Sequence, residues 1–156
     1  MNTYYELIKG LKTIFEQDVD VNTVISEADP TAIDNYKKNM FPLVHIQVTS
    51  SPFTGTEGLA STRYNVEITV VKLRDVNQEI VNDKFWMNDN RHDNWNTTRA
   101  ILKKAQNKVI KDVLGVFMSL EGSSDAEILY WTKENTLDGW QQTWTIDMPD
   151  DLTTVC

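Results

Sequence analysis

The sequence predicts an α+β fold, a mainly antiparallel sheet of about five to six strands with an N-terminal helix and a long second helix packed on one face. Three observations predict it. Apolar residues recur at spacings of three and four in two segments, one at the start of the chain and one after Trp95. Several other segments alternate apolar and polar residues, which gives a strand one dry and one wet face. The order is helix, about four strands, long helix and closing hairpin, without repeats or low-complexity stretches.

The first helix carries Tyr4, Leu7, Ile8, Leu11, Ile14 and Phe15 as its apolar stripe. Asn2 or Thr3 caps it, Glu6 lies in the first turn, and the acidic run EQDVD ends the pattern. Gly10 inside this helix marks a close approach to another backbone. Residues 19–26, VDVNTVIS, read as a short strand, and residues 28–42, ADPTAIDNYKKNMFP, form a connection punctuated by Pro30 and Pro42. In PLVHIQVTS, Val44, Ile46 and Val48 oppose His45, Gln47 and Thr49, as in a half-buried strand.

SSPFTGTEGLAS supplies Pro52, Gly55 and Gly58 for a long hairpin loop. RYNVEITVVKLRD then alternates until Val70, after which the apolar phase moves to Val71 and Leu73, predicting a β-bulge at Val70 and Val71. Ile80 and Val81 are a short apolar pair ahead of the loop NDKFWMNDNRHDN. The second helix is expected to begin near Trp95 or Asn96, capped by Asn94 or Asn96. Its apolar side runs through Ile101, Leu102, Ala105, Val109, Val113, Val116 and Phe117 to Leu120, and Glu121-Gly122-Ser123-Ser124 ends it. EILYWTK is apolar on both faces, a turn spans Glu134 to Gly139, and LDGWQQTWTIDM closes a hairpin. In that last strand Trp140, Gln142, Trp144, Ile146 and Met148 share one face, while Gln141, Thr143, Thr145 and Asp147 share the other.

Length and charge bound the function. The 156 residues suit one domain, residues 1–156, large enough to bury about 70% of the surface of its unfolded chain. Fifteen Lys and Arg against 23 Asp and Glu give a net charge of −8, which argues against a phosphate-binding surface. The same charge suits a wall past which DNA slides without sticking. Cys156 is the lone cysteine, so no intrachain disulfide or thiolate cluster forms and a reducing compartment is expected. MNTYYELIKG lacks a basic segment followed by an apolar run, and no stretch approaches the ~20 apolar residues that span a bilayer, so a soluble protein is expected.

Catalytic chemistry has little to stand on, and neither an enzyme nor a cofactor is expected. The two histidines, His45 and His92, lie far apart in sequence, and neither sits near a nucleophile in an elbow context. Asp89, Arg91 and Asp93 alternate without the glycine and terminal glutamate of a calcium loop, so no metal site is expected. Trp131, Trp140 and Trp144 are expected in the core. Phe85, Trp86 and Met87 differ, because they lie in a loop otherwise too polar for a core, and aromatic residues with methionine are enriched at interface centres. Those three, with Phe53 beside Pro52 in the other long loop, are the candidate partner contacts.

Several features together resemble the small ring-forming neck proteins of tailed bacteriophages, the tail terminator and tail completion family. They are the amphipathic first helix, the lead-in Phe41-Pro42-Leu43-Val44, the long strand RYNVEITVV, the helix opening DNWNTTRAIL and the ending LDGWQQTWTIDMPDDL with a late cysteine. The resemblance implies a structural virion protein without enzymatic activity, whose copies form a hexameric or dodecameric ring in the head-to-tail connector. It also implies contacts with other neck, portal or tail proteins, assembly in the host cytoplasm, and DNA passing through the lumen without specific binding. Two other classes stand beside it: a small soluble module binding a peptide or ligand under the second helix, and a hydrolase using His45 or His92.

Overall fold

The computed structural model describes residues 3–26, 40–52, 61–75, 85, 89–132 and 136–149, and of residues 130–132 the backbone. The elements are α1 (Thr3–Glu16), β1 (Thr23–Ile25), β2 (Leu43–Ser50), β3 (Ser61–Leu73), α2 (Arg91–Ile110), β4 (Ser119–Ser123), β5 (Glu127–Thr132) and β6 (Thr136–Pro149). They build the expected α+β architecture, a six-stranded sheet in the order β1-β2-β3-β6-β4, with β5 also paired to β6. Among the described residues, only the pairing of β1 with β2 is parallel.

The spine of the sheet is the pairing of β3 with β6, in one register from Ser61 opposite Pro149 to Leu73 opposite Leu137. Along the other edge of β6, β5 and β4 lie end to end. β5 faces Thr136 to Gln141, and β4 faces Trp144 to Asp147. Ser124 bridges the gap between them: its N–H donates to the Thr143 carbonyl at 2.9 Å, and its hydroxyl accepts the Thr143 N–H at 3.0 Å. β4 and β5 therefore act as one interrupted edge strand, and β5 with β6 is the closing hairpin.

Both helices cover one face of this sheet. Leu7, Leu11, Ile14 and Phe15 of α1, and Ile101, Leu102, Ala105 and Val109 of α2, pack on Val44, Ile46, Val66, Ile68, Val70, Trp144, Ile146 and Met148. The parity of β6 is as expected: Trp144, Ile146 and Met148 are fully buried and Phe15 stacks on Trp144 with centroids 6.1 Å apart. Gln142, a polar residue among the aromatics of that face, accepts the Trp144 indole N–H at 2.9 Å and donates to the Ser124 carbonyl at 2.9 Å. A buried indole needs such an acceptor, which gives the glutamine its place among aromatics.

The structure corrects several expectations. There is no bulge at Val70 and Val71, where both strand pairings run without a shift; the irregularity lies in β2, between Val48 and Ser50. The apolar phase changes because both faces are dry at that end: Val70 joins the main core, and Val71 joins a second cluster with Phe41, Leu43 and Leu137. His45, expected on a polar face, is fully buried. The first strand shrinks to Thr23–Ile25, and Val19 is left 93% exposed.

α2 is displaced towards the N-terminus. It opens at Arg91, where the Asp89 carboxylate accepts the Arg91 N–H at 3.1 Å, and it ends at Ile110. The helical spacing of apolar residues continues through Val113, Val116 and Phe117, but Asp112, Gly115 and Phe117 all take positive φ, which no α-helix accommodates. Ser119–Ser123 is consequently strand, and Leu120 packs on the core from β4. Gly10 meets a side chain and not a backbone: a Cβ there would lie 3.2 Å from Met118 Cε. Ile80 and Val81 lie outside the described residues.

Candidate interaction surfaces

The N-terminus of α2 is anchored by a polar cluster. Arg74, just past β3, forms a two-pronged ion pair with the fully buried Asp138 at the start of β6. Asn94, also fully buried, donates from Nδ2 to Asp138 Oδ2 at 3.1 Å and to the Leu73 carbonyl at 2.9 Å. Asn90 and Asp75 exchange hydrogen bonds, with the Asp75 N–H reaching Asn90 Oδ1 at 2.7 Å and the Asn90 N–H reaching the Asp75 carbonyl at 3.2 Å. The run NRHDN, which reads as a solvated loop, thus supplies the residues that lock α2 to the ends of β3 and β6.

Outward from this anchor lies an aromatic column. Phe85 is 67% exposed, and its ring lies parallel to His92 with centroids 5.8 Å apart. His92 meets Trp95 edge to face at 5.5 Å. The Trp95 indole donates to the Leu129 carbonyl at 3.3 Å, and Trp140 donates to the Trp95 carbonyl at 2.8 Å. Arg99 lies over the Trp140 ring, 5.9 Å from its centroid, at cation–π distance. Of the candidate contacts read from sequence, Phe85 is placed at the surface as expected. Phe53, Trp86 and Met87 lie outside the described residues, as do the side chain of Trp131 and the tail after Pro149.

A second exposed group went unread in the sequence. Ile110, Val113 and Phe117, in and after the last turn of α2, are 61%, 51% and 73% exposed. Phe117 has φ 63°, and its N–H is accepted by both carboxylate oxygens of Asp112 at 3.1 Å. A bulky residue in the left-handed region is costly, about 1–3 kcal/mol, and such strain gathers at functional surfaces. Gly115 inside an otherwise helical pattern was the available signal that the helix stops.

The sheet face away from the helices is knitted by polar side chains beyond its apolar end. Arg63 grips Asp147 through two hydrogen bonds of 2.7 and 2.9 Å, the Thr145 hydroxyl donates to Asn65 at 2.9 Å, and Asn65 donates to Ser50 at 2.9 Å. The hydrogen-bonded Asp147 carboxylate raises the Arg63 pKa above its ordinary value. Gln141, Thr143, Thr145 and Asp147 are half-buried on this strip.

Lys104 ties α2 to the segment after α1 through Asp18 at 2.9 Å and Asp20 at 3.2 Å. The hydrogen bond to Asp18, then that to Asp20 and both carboxylate charges, raise the Lys104 pKa above the ordinary 10.5. A raised folded-state value contributes stability that is complete below 10.5 and is lost as pH climbs through the folded value. The side chain is 47% exposed, so solvent screening keeps the contribution below about 1 kcal/mol. Chemical denaturation between pH 9 and 11 should therefore show a slightly steeper alkaline loss in the parent than in Lys104→Met, and equal slopes would exclude the contribution.

Among the described residues no group of three His, Cys, Asp or Glu could hold a metal ion, and no helix is long and apolar enough to cross a membrane. His92 stacks on Phe85 and meets Trp95 edge to face, while His45 is fully buried. Neither a scan of protein-family models nor a search of curated proteins returns a match to the chain.

Proposed function

We propose that the chain is a structural virion protein of the tailed-bacteriophage neck, a tail terminator or tail completion subunit acting by self-association and docking. The observation that carries this reading is the presence of two exposed apolar groups at opposite ends of one helix. Phe85, stacked on His92, stands at the first turn of α2, and Ile110, Val113 and Phe117 stand at its last turn and beyond. A 20-residue helix is about 30 Å long, so each copy offers two separate docking points on a rigid rod. A subunit that joins its neighbours through two different surfaces forms a ring when the rotation closes, whereas a single self-matching patch stops at a dimer. The net charge of −8 agrees with a lumen that DNA crosses without sticking.

The alternative, a small soluble peptide- or ligand-binding module, needs a cavity. The face of α2 that would cover a ligand is filled by Ile101, Leu102, Ala105 and Val109. A concavity between α1 and β1, lined by Ile8, Lys12, Val24, Ile25, Ser26 and Ile46, holds about 140 Å3. Ligand pockets commonly hold roughly 300–1,000 Å3. Size exclusion with light scattering, followed by negative-stain imaging, tests the ring reading: closed rings of one size are expected, and a monomer at every concentration would count against it.

A further inference from the structure

We propose that neighbouring copies meet head to tail, with the basic outer face of α2 in one copy lying on the acidic β4–β5 edge of the next. This rests on the ring reading and adds which surfaces touch.

The charges of the chain are segregated. Residues 91–111 hold six of its 15 Lys and Arg but one of its 23 Asp and Glu, in a chain of net charge −8. Lys103, Asn107 and Lys111 follow one exposed line along α2, and Lys108 lies beside it. Lys104 is engaged by Asp18 and Asp20. Lys108 has cationic neighbours at Lys104 and Lys111, spacings at which like charges oppose the helix unless something acidic covers them. A merely solvated helix ordinarily mixes both signs along its outer face.

The matching surface lies on the same chain. Residues 119–129 contain Glu121, Asp125 and Glu127, all exposed, and no lysine or arginine. Ile128, 51% exposed, gives this edge an apolar contact to set against Ile110 and Val113. Carboxylates along an edge discourage plain strand addition. They suit a cationic helix instead.

The arrangement also bears on the symmetry. A two-fold contact centred on α2 would set lysines against lysines, and one centred on the β4–β5 edge would set carboxylates against carboxylates. Opposite signs meet when the two surfaces are joined to each other, and a heterologous contact of that kind that closes makes a ring. Such a contact is steered by charge and weakens with salt.

The test reverses each surface in the full chain. One variant carries Lys103→Glu, Lys108→Glu and Lys111→Glu; the other carries Glu121→Lys, Asp125→Lys and Glu127→Lys. Each alone should lose self-association by at least about 100-fold. An equimolar mixture should restore it, since every contact then pairs opposite signs, with the two chains alternating in a ring of even copy number. Circular dichroism checks folding, and if a reversal unfolds the chain, glutamine replacements and a salt series on the parent decide instead. Parent rings that persist in both variants, or a mixture that stays apart, would overturn the proposed contact and leave the ring reading standing. A parent chain that stays monomeric throughout would overturn both.

Discussion

Gly139→Ala is expected to destabilise the domain by about 3 kcal/mol or more, the upper range for forcing atoms into packed structure. A Cβ at residue 139 would sit 1.9 Å from the Val70 carbonyl oxygen and 2.9 Å from Val71 Cα. Both atoms are backbone of the partner strand, so no rotamer change relieves the overlap. Gly139 lies opposite Val71 in the pairing that forms the spine of the sheet, and opposite Leu129 on its other side. Displacing it separates strands on both flanks and disturbs the buried Val70 and Val71. Urea denaturation reads the effect. For a domain of this size a loss of 3 kcal/mol corresponds to roughly 6–12 °C in melting temperature. A variant melting within about 2 °C of the parent would show that the backbone at this point yields.

The second large effect is expected at Asp138. Removing one partner of a buried ion pair leaves the other charged and undersolvated, at a cost of about 3–5 kcal/mol. Asp138 is fully exchanged from water for the Arg74 guanidinium and the Asn94 amide, while the Arg74 side chain is 10% exposed. The Asp89 carboxylate also lies near Arg74, at 3.9 Å. Asp138→Ala should therefore fall in the 3–5 kcal/mol range and loosen the first turn of α2, raising hydrogen exchange at Asn94 and Trp95. The paired replacement Arg74→Met with Asp138→Leu should cost less than either single change, since it leaves no charge behind. Additive losses would contradict the coupling.

How much of this could be read in the sequence depends on which physical rule governed each segment. β6 was legible because period-two alternation coincided with a real difference between its faces. Even Gln142 fits once the Trp144 indole is given an acceptor. The end of β3 misled because a second apolar cluster dries the opposite face, so a change of phase looked like a bulge. The start of α2 was hidden by composition: Asn90, Asn94 and Asp89 are residues of turns, and their partners Leu73, Asp75 and Asp138 lie in segments remote in sequence. The end of α2 was hidden by apolar spacing that outlasts the helix, with Gly115 as the contrary sign. Of the exposed aromatic residues, Phe85 was legible as an aromatic in a polar setting. Phe117 was not, since its exposure follows from a backbone turn that periodicity does not encode. The charge segregation between α2 and the β4–β5 edge was present in the residues, but it acquires meaning only when Ser119–Ser123 is known to be strand.

Identical copies of this acidic chain are proposed to join through two different surfaces and close on themselves. Native mass spectrometry of the full chain across a range of protein concentrations and ionic strengths tests it most directly. One closed species of fixed copy number, hexameric or dodecameric, is expected, giving way to monomer as salt rises, without a ladder of intermediates at low salt. A dimer that forms alone and resists salt would contradict it, because that outcome requires a self-matching apolar patch in place of a charged, heterologous contact.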